Sequence, residues 1–298
     1  MIKYEWRTEL DSKEAAELAD MLARAAAYDA EPEYSTIDFA DVAAAMERRE
    51  PHIRHLLIWM LPHATAMAAP DEPERIAALL RLEIAEDATA RAFLVVDPTL
   101  RSIGVTTLFV EHVGLDTAGP DGWLGTGART ISAWARGNHP ATGRLSNRFL
   151  IPRTRRIWKL IRACDSVRNV AAAPVLEQLD RSAIEHLDWA TSTASQGDVY
   201  ALRVAGSITG LVALDFTPLE SEEFGACATA IEVMASPAAD PAALRHLLDG
   251  AAAVVHDHGL TGLIVHVDSG DSRLVNSCRL VGFQHDRTDV QYELNEAR

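Results

Sequence analysis

Cysteine is nearly missing from this chain of 298 residues. Cys164, Cys227 and Cys278 are an odd number, lie far apart and show no metal-ligand spacing, so neither a disulfide framework nor a cysteine-held zinc organises the fold. A His-x-x-x-His pair is absent too, as is a nucleophile elbow, which leaves metalloenzyme and serine-hydrolase readings without support. Basic residues are scarce: 28 Lys and Arg stand against 43 Asp and Glu, for a formal charge of −15. The average field therefore repels nucleic acid and anionic lipid. No apolar run approaches the roughly 20 residues needed to span a bilayer, and no charged segment followed by an apolar core succeeds Met1. The expectation is a cytoplasmic protein with reduced thiols and no nucleic-acid or membrane partner.

What is present is ordinary globular material. Hydrophobic residues make up 48% and charged residues 24% of a length that suits two domains better than one. One local run, Arg153-Thr-Arg-Arg-Ile-Trp-Lys159, opposes the acidic average. Its alternation reads as a strand with one solvated, charged face.

The hydrophobic pattern divides the chain into a series of elements that occurs twice. A strand over 2–7 precedes Asp11-Ser-Lys-Glu14, which has capping-box spacing, and then Leu18, Met21, Leu22 and Ala25 recur at helical intervals. A second helix is expected from Phe39 to Arg48, ended by Pro51. Three apolar runs, 55–61, 75–84 and 91–96, read as an antiparallel meander. A helix from Val105, a glycine-rich surface loop over 114–127, a strand over 130–135, a helix from His139 to about Leu150 and a strand over 154–161 complete the first series. Between Cys164 and Asp198 the signal is weak, with a break at Pro174 and one amphipathic segment. Strands over 200–204, 208–216 and 228–234, a helix over 241–258, a strand over 263–267, a helix over 272–280 and a strand over 290–294 repeat the order. The period is far above solenoid lengths, so a duplicated domain is expected, near 1–165 and 166–298, the second copy shortened at its start.

The most informative segment runs from Leu94 to Thr107, an apolar strand entering a loop of the form Arg-x-x-Gly-x-Thr and then a helix. Such a loop aims backbone N–H groups and a helix N-terminus at phosphate, and Gly104 lets a ligand approach without a Cβ in the way. Strand, loop, helix, strand and a second helix at His139-Pro140 follow the order of the GCN5-related N-acetyltransferase superfamily, which this chain resembles. Within it the tandem-domain mycothiol synthases are the most similar family, because Trp134-Ala-Arg-Gly-Asn-His-Pro-Ala-Thr142 looks like their Trp-Ala-His-Gly segment.

The resemblance implies an α/β (α+β) fold of two acyl-CoA N-acyltransferase-like domains with mixed, mostly antiparallel sheets flanked by helices. It implies acetyl-CoA as cosubstrate, held by Val95, Val96, Arg101, Ser102, Ile103, Gly104, Val105, Thr106 and Thr107, with Thr106 standing where Gly or Ala is usual. In the second copy the matching loop is Ser236-Pro-Ala-Ala-Asp-Pro-Ala-Ala-Leu-Arg245, which has lost both glycines and the leading Arg. Pro241 removes a donor and Asp240 sets a negative charge where a diphosphate would lie, so a helix cap is the better reading there.

The family's C-terminal catalytic residues map poorly. Cys278 takes the position of the acid Tyr, four before Gly282-Phe283, and Thr229 that of the base Glu, with Glu232 nearby on the same run. Glu232 and Cys278 are the candidate catalytic pair. His256, His258, His266 and Asp268 are weaker candidates at element ends, and no metal site is expected.

Three functions remain open on sequence. One is transfer of an acetyl group to a primary amine, as in the mycothiol synthases, where the acceptor is the cysteinyl amine of a cysteine-glucosamine-inositol conjugate. Another is a degenerate tandem protein that binds acyl-CoA or a partner. The last is an N-terminal acetyltransferase acting on some other small amine, with Glu83 and His112 as conceivable bases; the protein would be a monomer or homodimer.

Overall fold

The computed structural model describes residues 1–31, 33–61, 74–164, 173–184, 186–190 and 197–295. The chain forms two compact units, 1–155 with 289–298, and 156–288.

The first unit begins with β1 (Ile2–Arg7) and α1 (Ser12–Asp29). Asp11 starts α1 as its spacing predicts: its carboxylate accepts from the N–H groups of Lys13 and Glu14, both at 2.8 Å, while Glu14 reaches back to the Asp11 N–H at 3.3 Å. α2 (Phe39–Glu47) follows, then β2 (Ile53–Met60), β3 (Arg75–Ile84) and β4 (Thr89–Val96). α3 (Val105–Val113), β5 (Thr130–Ala135) and α4 (Pro140–Phe149) come next. A short 3-10 turn over Trp123–Gly125 interrupts the expected glycine-rich loop. The sheet order is β1-β2-β3-β4-β5-β12, the last strand being the 289–294 part of β12 (Gln284–Leu294). All neighbours run antiparallel except β4 and β5.

Period-two alternation sorts the side chains between two layers. Leu56, Ile58, Ala78, Leu80 and Ile131 pack with Val105, Phe109 and Val110 of α3. Leu57, Trp59, Leu79 and Val95 face the opposite way, against Leu18, Met21, Leu22 and Ala25 of α1 and Val42 of α2. The helical stripe read from sequence is therefore the buried face of α1.

The second unit has the order β6 (Arg153–Ala163), β11 (Gly262–Asp268), β10 (Gly225–Ala235), β9 (Ser207–Ser221), β8 (Asp198–Val204) and β7 (Glu177–Leu179). Its helices are a single turn, α5 (Arg181–Ile184), then α6 (Ala243–Asp257) and α7 (Ser272–Leu280). Again one neighbouring pair, β10 with β11, is parallel. The basic run does form a strand, but Lys159 departs from the expected solvated face: it is 9% exposed and pairs with Asp286 at 3.1 Å. Strand β7 and helix α5 fall in the stretch for which the sequence pattern gives one amphipathic segment without bounds, and much of that stretch, 165–172 and 191–196, lies outside the described residues.

Candidate active site

The two parallel strands of the first unit do not stay together. β4 and β5 are in register from Thr89↔Thr130 to Ala92↔Ala133, and the pairing stops there. Beyond it Phe93 to Val96 remain bonded to β3, while Trp134 and Ala135 remain bonded to β12. The strands part like a V, leaving one backbone edge of β4 without a strand partner, a row of donors and acceptors at the wall of a cleft.

The loop that closes the open end of the V is built from unusual backbone. Ser102 and Gly104 have φ of +70° and +91°, and Gly104 is the residue from which α3 starts. No side chain caps that helix, so its first N–H groups point outward with the positive end of the helix dipole behind them. A Cβ on Gly104 would meet no atom within 4 Å: the space beside it is open. That free space, with unclaimed donors around it, is a fitting cradle for an anionic group such as a diphosphate.

V and loop belong to one cavity of about 710 Å³. Of the nine residues expected to hold coenzyme, Val95, Val96, Arg101, Ser102, Gly104, Val105, Thr106 and Thr107 line it, whereas Ile103 is 55% exposed and outside the lining. Four arginines also reach the cavity. Arg136 and Arg148 pair with Asp289 and Glu111, and exposed Arg144 makes no ion pair among the described residues.

Arg101, the fourth, departs from what its position suggests. Its guanidinium grips Asp29, the last residue of α1, through both nitrogens at 2.6 and 2.7 Å, and its Nε donates to the Val96 carbonyl at 3.1 Å. Asp29 is only 3% exposed. The carboxylate beside it holds the Arg101 pKa above its ordinary value. Arg101 thus fastens the loop to α1, and the anion cradle is made by backbone.

Two lining residues were not read from sequence. His139 caps α4, its Nδ1 accepting from the Ala141 N–H at 3.1 Å, which puts the ring proton on Nε2. Burial chiefly, with help from Arg101 and Arg144, pushes its pKa below the usual imidazole value, so at neutral pH it is a neutral donor. Tyr292 lies on β12 in register with Ala133, level with the point where the strands part. It is 4% exposed, and its hydroxyl has no hydrogen-bond partner among the described residues. Nothing in the local pattern of 290–294 distinguishes this tyrosine, because its place depends on a pairing with residues far back in the chain.

The other candidates are scattered. Glu83 bridges Arg81 at 3.0 Å and Arg91 at 2.5 Å and lines a separate cavity, while His112 is exposed in the last turn of α3. In the second unit, Cys278 is fully buried in an apolar cluster with Val233 and Ala235, and burial pushes its thiol up to about 12. Glu232 is in register with Ala213, which packs in the cluster on the opposite face of the same sheet. The structure does not bring Glu232 and Cys278 together. His258 stacks on Phe216 at 4.0 Å between ring centroids, and His266 is an exposed residue of β11. In the loop before α6 the Asp240 carboxylate accepts from the Ala242 N–H at 2.7 Å, but Ala242 itself is the N-cap and no side chain caps the helix, so the expected helix cap is not formed; Asp240 still sets an anion two residues ahead of it.

No family model and no curated protein matches this sequence. Among solved structures, the chain is similar to a tandem GNAT protein from the clavulanic acid biosynthesis pathway, at 14% identity over 98% of both chains with a TM-score of 0.59. It is likewise similar to a GCN5-related N-acetyltransferase from Sphaerobacter thermophilus, at 15% identity over 97% of this chain and 95% of that one, with a TM-score of 0.54. A fungal glucosamine N-acetyltransferase region gives a TM-score of 0.55 at 12% identity, covering 98% of this chain and 38% of that protein. At such identities the likeness is one of fold: the chain has the α/β architecture of the tandem GCN5-related N-acetyltransferases.

Proposed function

We propose that the first unit binds an acyl-coenzyme A and transfers its acyl group to a primary amine. One observation carries this reading: the V between β4 and β5 and the uncapped, glycine-started α3 line a single cavity. Linear polar arm and anionic head are the two chemical features of a coenzyme A, and edge and cradle answer them in that order. When bound, the cosubstrate supplies an acyl group activated as a thioester.

The chain's own contribution is positioning and donation. N–H groups at the start of α3 neutralise the diphosphate, exposed Arg144 adds a positive charge, and the free edge of β4 hydrogen-bonds the arm. Tyr292 aims a phenol at the level of the divergence, where it can donate to the thioester or to the departing sulfur. Two carboxylates line the cavity: Asp29 is held by Arg101, whereas Glu293 accepts from Asn295 at 3.4 Å and makes no ion pair among the described residues, so Glu293 is the group proposed to take the amine's proton. The second unit, with Asp240 across its loop, shapes or supports and does not bind coenzyme.

Acetyl as the acyl group and a mycothiol-type acceptor are the finer form of this reading; the Trp134–Thr142 segment supports the latter, and the cysteine-glucosamine-inositol amine is the first acceptor to try. Calorimetry of the full chain with coenzyme A tests the core of it. Binding at one site, abolished by Gly104→Trp and unaffected by Asp240→Ala, is expected. Absence of binding, or binding lost through Asp240 alone, refutes it.

A further inference from the structure

The cavity does not end where the thioester would lie. Past Ala92 and Ala133 the sheet is closed by pairing, so whatever extends further must lie on the α3 face. There the same cavity continues between α3 and the sheet, with Ile131 as floor and Leu294 beside it, Phe109 above, and Leu115 and Trp123 at the far end, while Leu80, level with Leu94, lines the stretch before it. All six are apolar. Leu80, Phe109, Trp123 and Ile131 are each at most 5% exposed, and Leu115 and Leu294 are half-buried.

An acetyl group needs none of this space. The lining reaches Ile131 and Leu294, level with Ala90 and so two residues, about 7 Å, past Ala92, which is room for about five methylenes. From Val96 back to Ala92, the open edge of β4 accounts for about 13 Å of arm. An apolar extension beyond that point is a good solvent for methylenes and a poor one for water or a polar substituent.

We infer that the acyl group carried by this protein is an unbranched apolar chain of medium length, housed between α3 and the sheet with its end against Leu115 and Trp123. The inference rests on the first unit being the acyl-CoA site. It changes the substrate class from acetyl to fatty acyl and leaves the acceptor open.

The test is a chain-length series on the full-length protein, with free coenzyme A, acetyl-CoA, butyryl-CoA and octanoyl-CoA titrated by calorimetry below their micelle concentrations. Each methylene that enters the inner end tightens binding roughly fourfold. Even with half of the added chain buried, octanoyl-CoA should bind about 50-fold more tightly than acetyl-CoA. Tryptophan emission should shift with octanoyl-CoA but not with acetyl-CoA, and the shift should vanish in Trp123→Phe. Ile131→Phe, which fills the floor, should bring octanoyl-CoA down to the acetyl-CoA affinity of the same variant; the wild-type series stands if that variant does not fold. Equal affinities for acetyl-CoA and octanoyl-CoA, or an emission shift that survives Trp123→Phe, would overturn the inference while leaving acyl-CoA binding intact. If none of the four ligands binds, the acyl-CoA reading itself fails.

Discussion

Replacing Arg101 by Met should unfasten the loop rather than empty the coenzyme site. The change keeps the aliphatic stem and deletes the guanidinium that holds Asp29 through two hydrogen bonds of 2.6 and 2.7 Å. Asp29 is 3% exposed and Arg101 18%, so the lost partner leaves a buried carboxylate with little water to turn to. Removing one member of such a pair costs about 3–5 kcal/mol, and the partial exposure of Arg101 favours the lower end. For a chain of this size that is a fall in Tm of about 6–12 °C. Asp29→Leu should cost a similar amount, and the double variant should recover most of it, because the desolvated charge is gone along with its partner. A double-mutant cycle in thermal unfolding then gives a coupling larger than either single loss, that is above about 3 kcal/mol. Coenzyme A affinity, measured below the lowered Tm, should change by no more than about threefold, since backbone donors form the cradle. A tenfold loss of affinity with Tm unmoved would show that Arg101 is a phosphate ligand, and would refute the assignment of that contact to backbone.

Other perturbations test the remaining parts. Gly104→Ala should cost only the left-handed backbone penalty, about 1–2 kcal/mol in stability, yet remove coenzyme binding, because its Cβ enters open space in the free protein and the diphosphate's place in the complex; calorimetry paired with thermal unfolding separates the two. Tyr292→Phe should leave Tm unchanged or raise it, since the deleted hydroxyl has no partner, while slowing acyl transfer by about tenfold or more once an acceptor is found; a lowered Tm would mean a structural hydrogen bond. His55, 3% exposed and held by burial at a pKa of about 4 against an ordinary 6.5, binds its proton more readily in the unfolded chain, so its contribution is complete above pH 6.5 and is lost as pH falls toward 4. His55→Leu should flatten that acid slope by up to roughly 3 kcal/mol in urea titrations at stepped pH. Since all three cysteines are buried, a thiol reagent at pH 8 should find none in the native protein and three after denaturation.

Much of the architecture was legible because it is written in local patterns. The capping box at Asp11, the helical stripe of Leu18, Met21 and Leu22, and the apolar runs of β2 to β4 each declare their structure within a few residues. Gly104 was legible for the same reason: a positive φ before a helix calls for glycine, and the neighbouring Arg-x-x-Gly spacing marks the turn.

What the site contains beyond that loop could be settled only in three dimensions. Arg101 carries the same side chain whether it meets phosphate or carboxylate, and the choice is made by Asp29, brought to it at the end of α1. Glu232 and Cys278 read as one site along the chain but lie on opposite faces of their sheet, because the register shift between Ala230 and Glu232 sets which side chain points which way. Tyr292 reaches the divergence of β4 and β5 through a pairing of the last strand with Ala133. Sequence determined where helices start, which runs form strands and which loop can receive an anion, since those depend on neighbours a few positions away. Tertiary structure alone decided which charges cancel, which hydroxyl is left for a ligand and how far the apolar cavity extends, since these depend on partners that folding brings together.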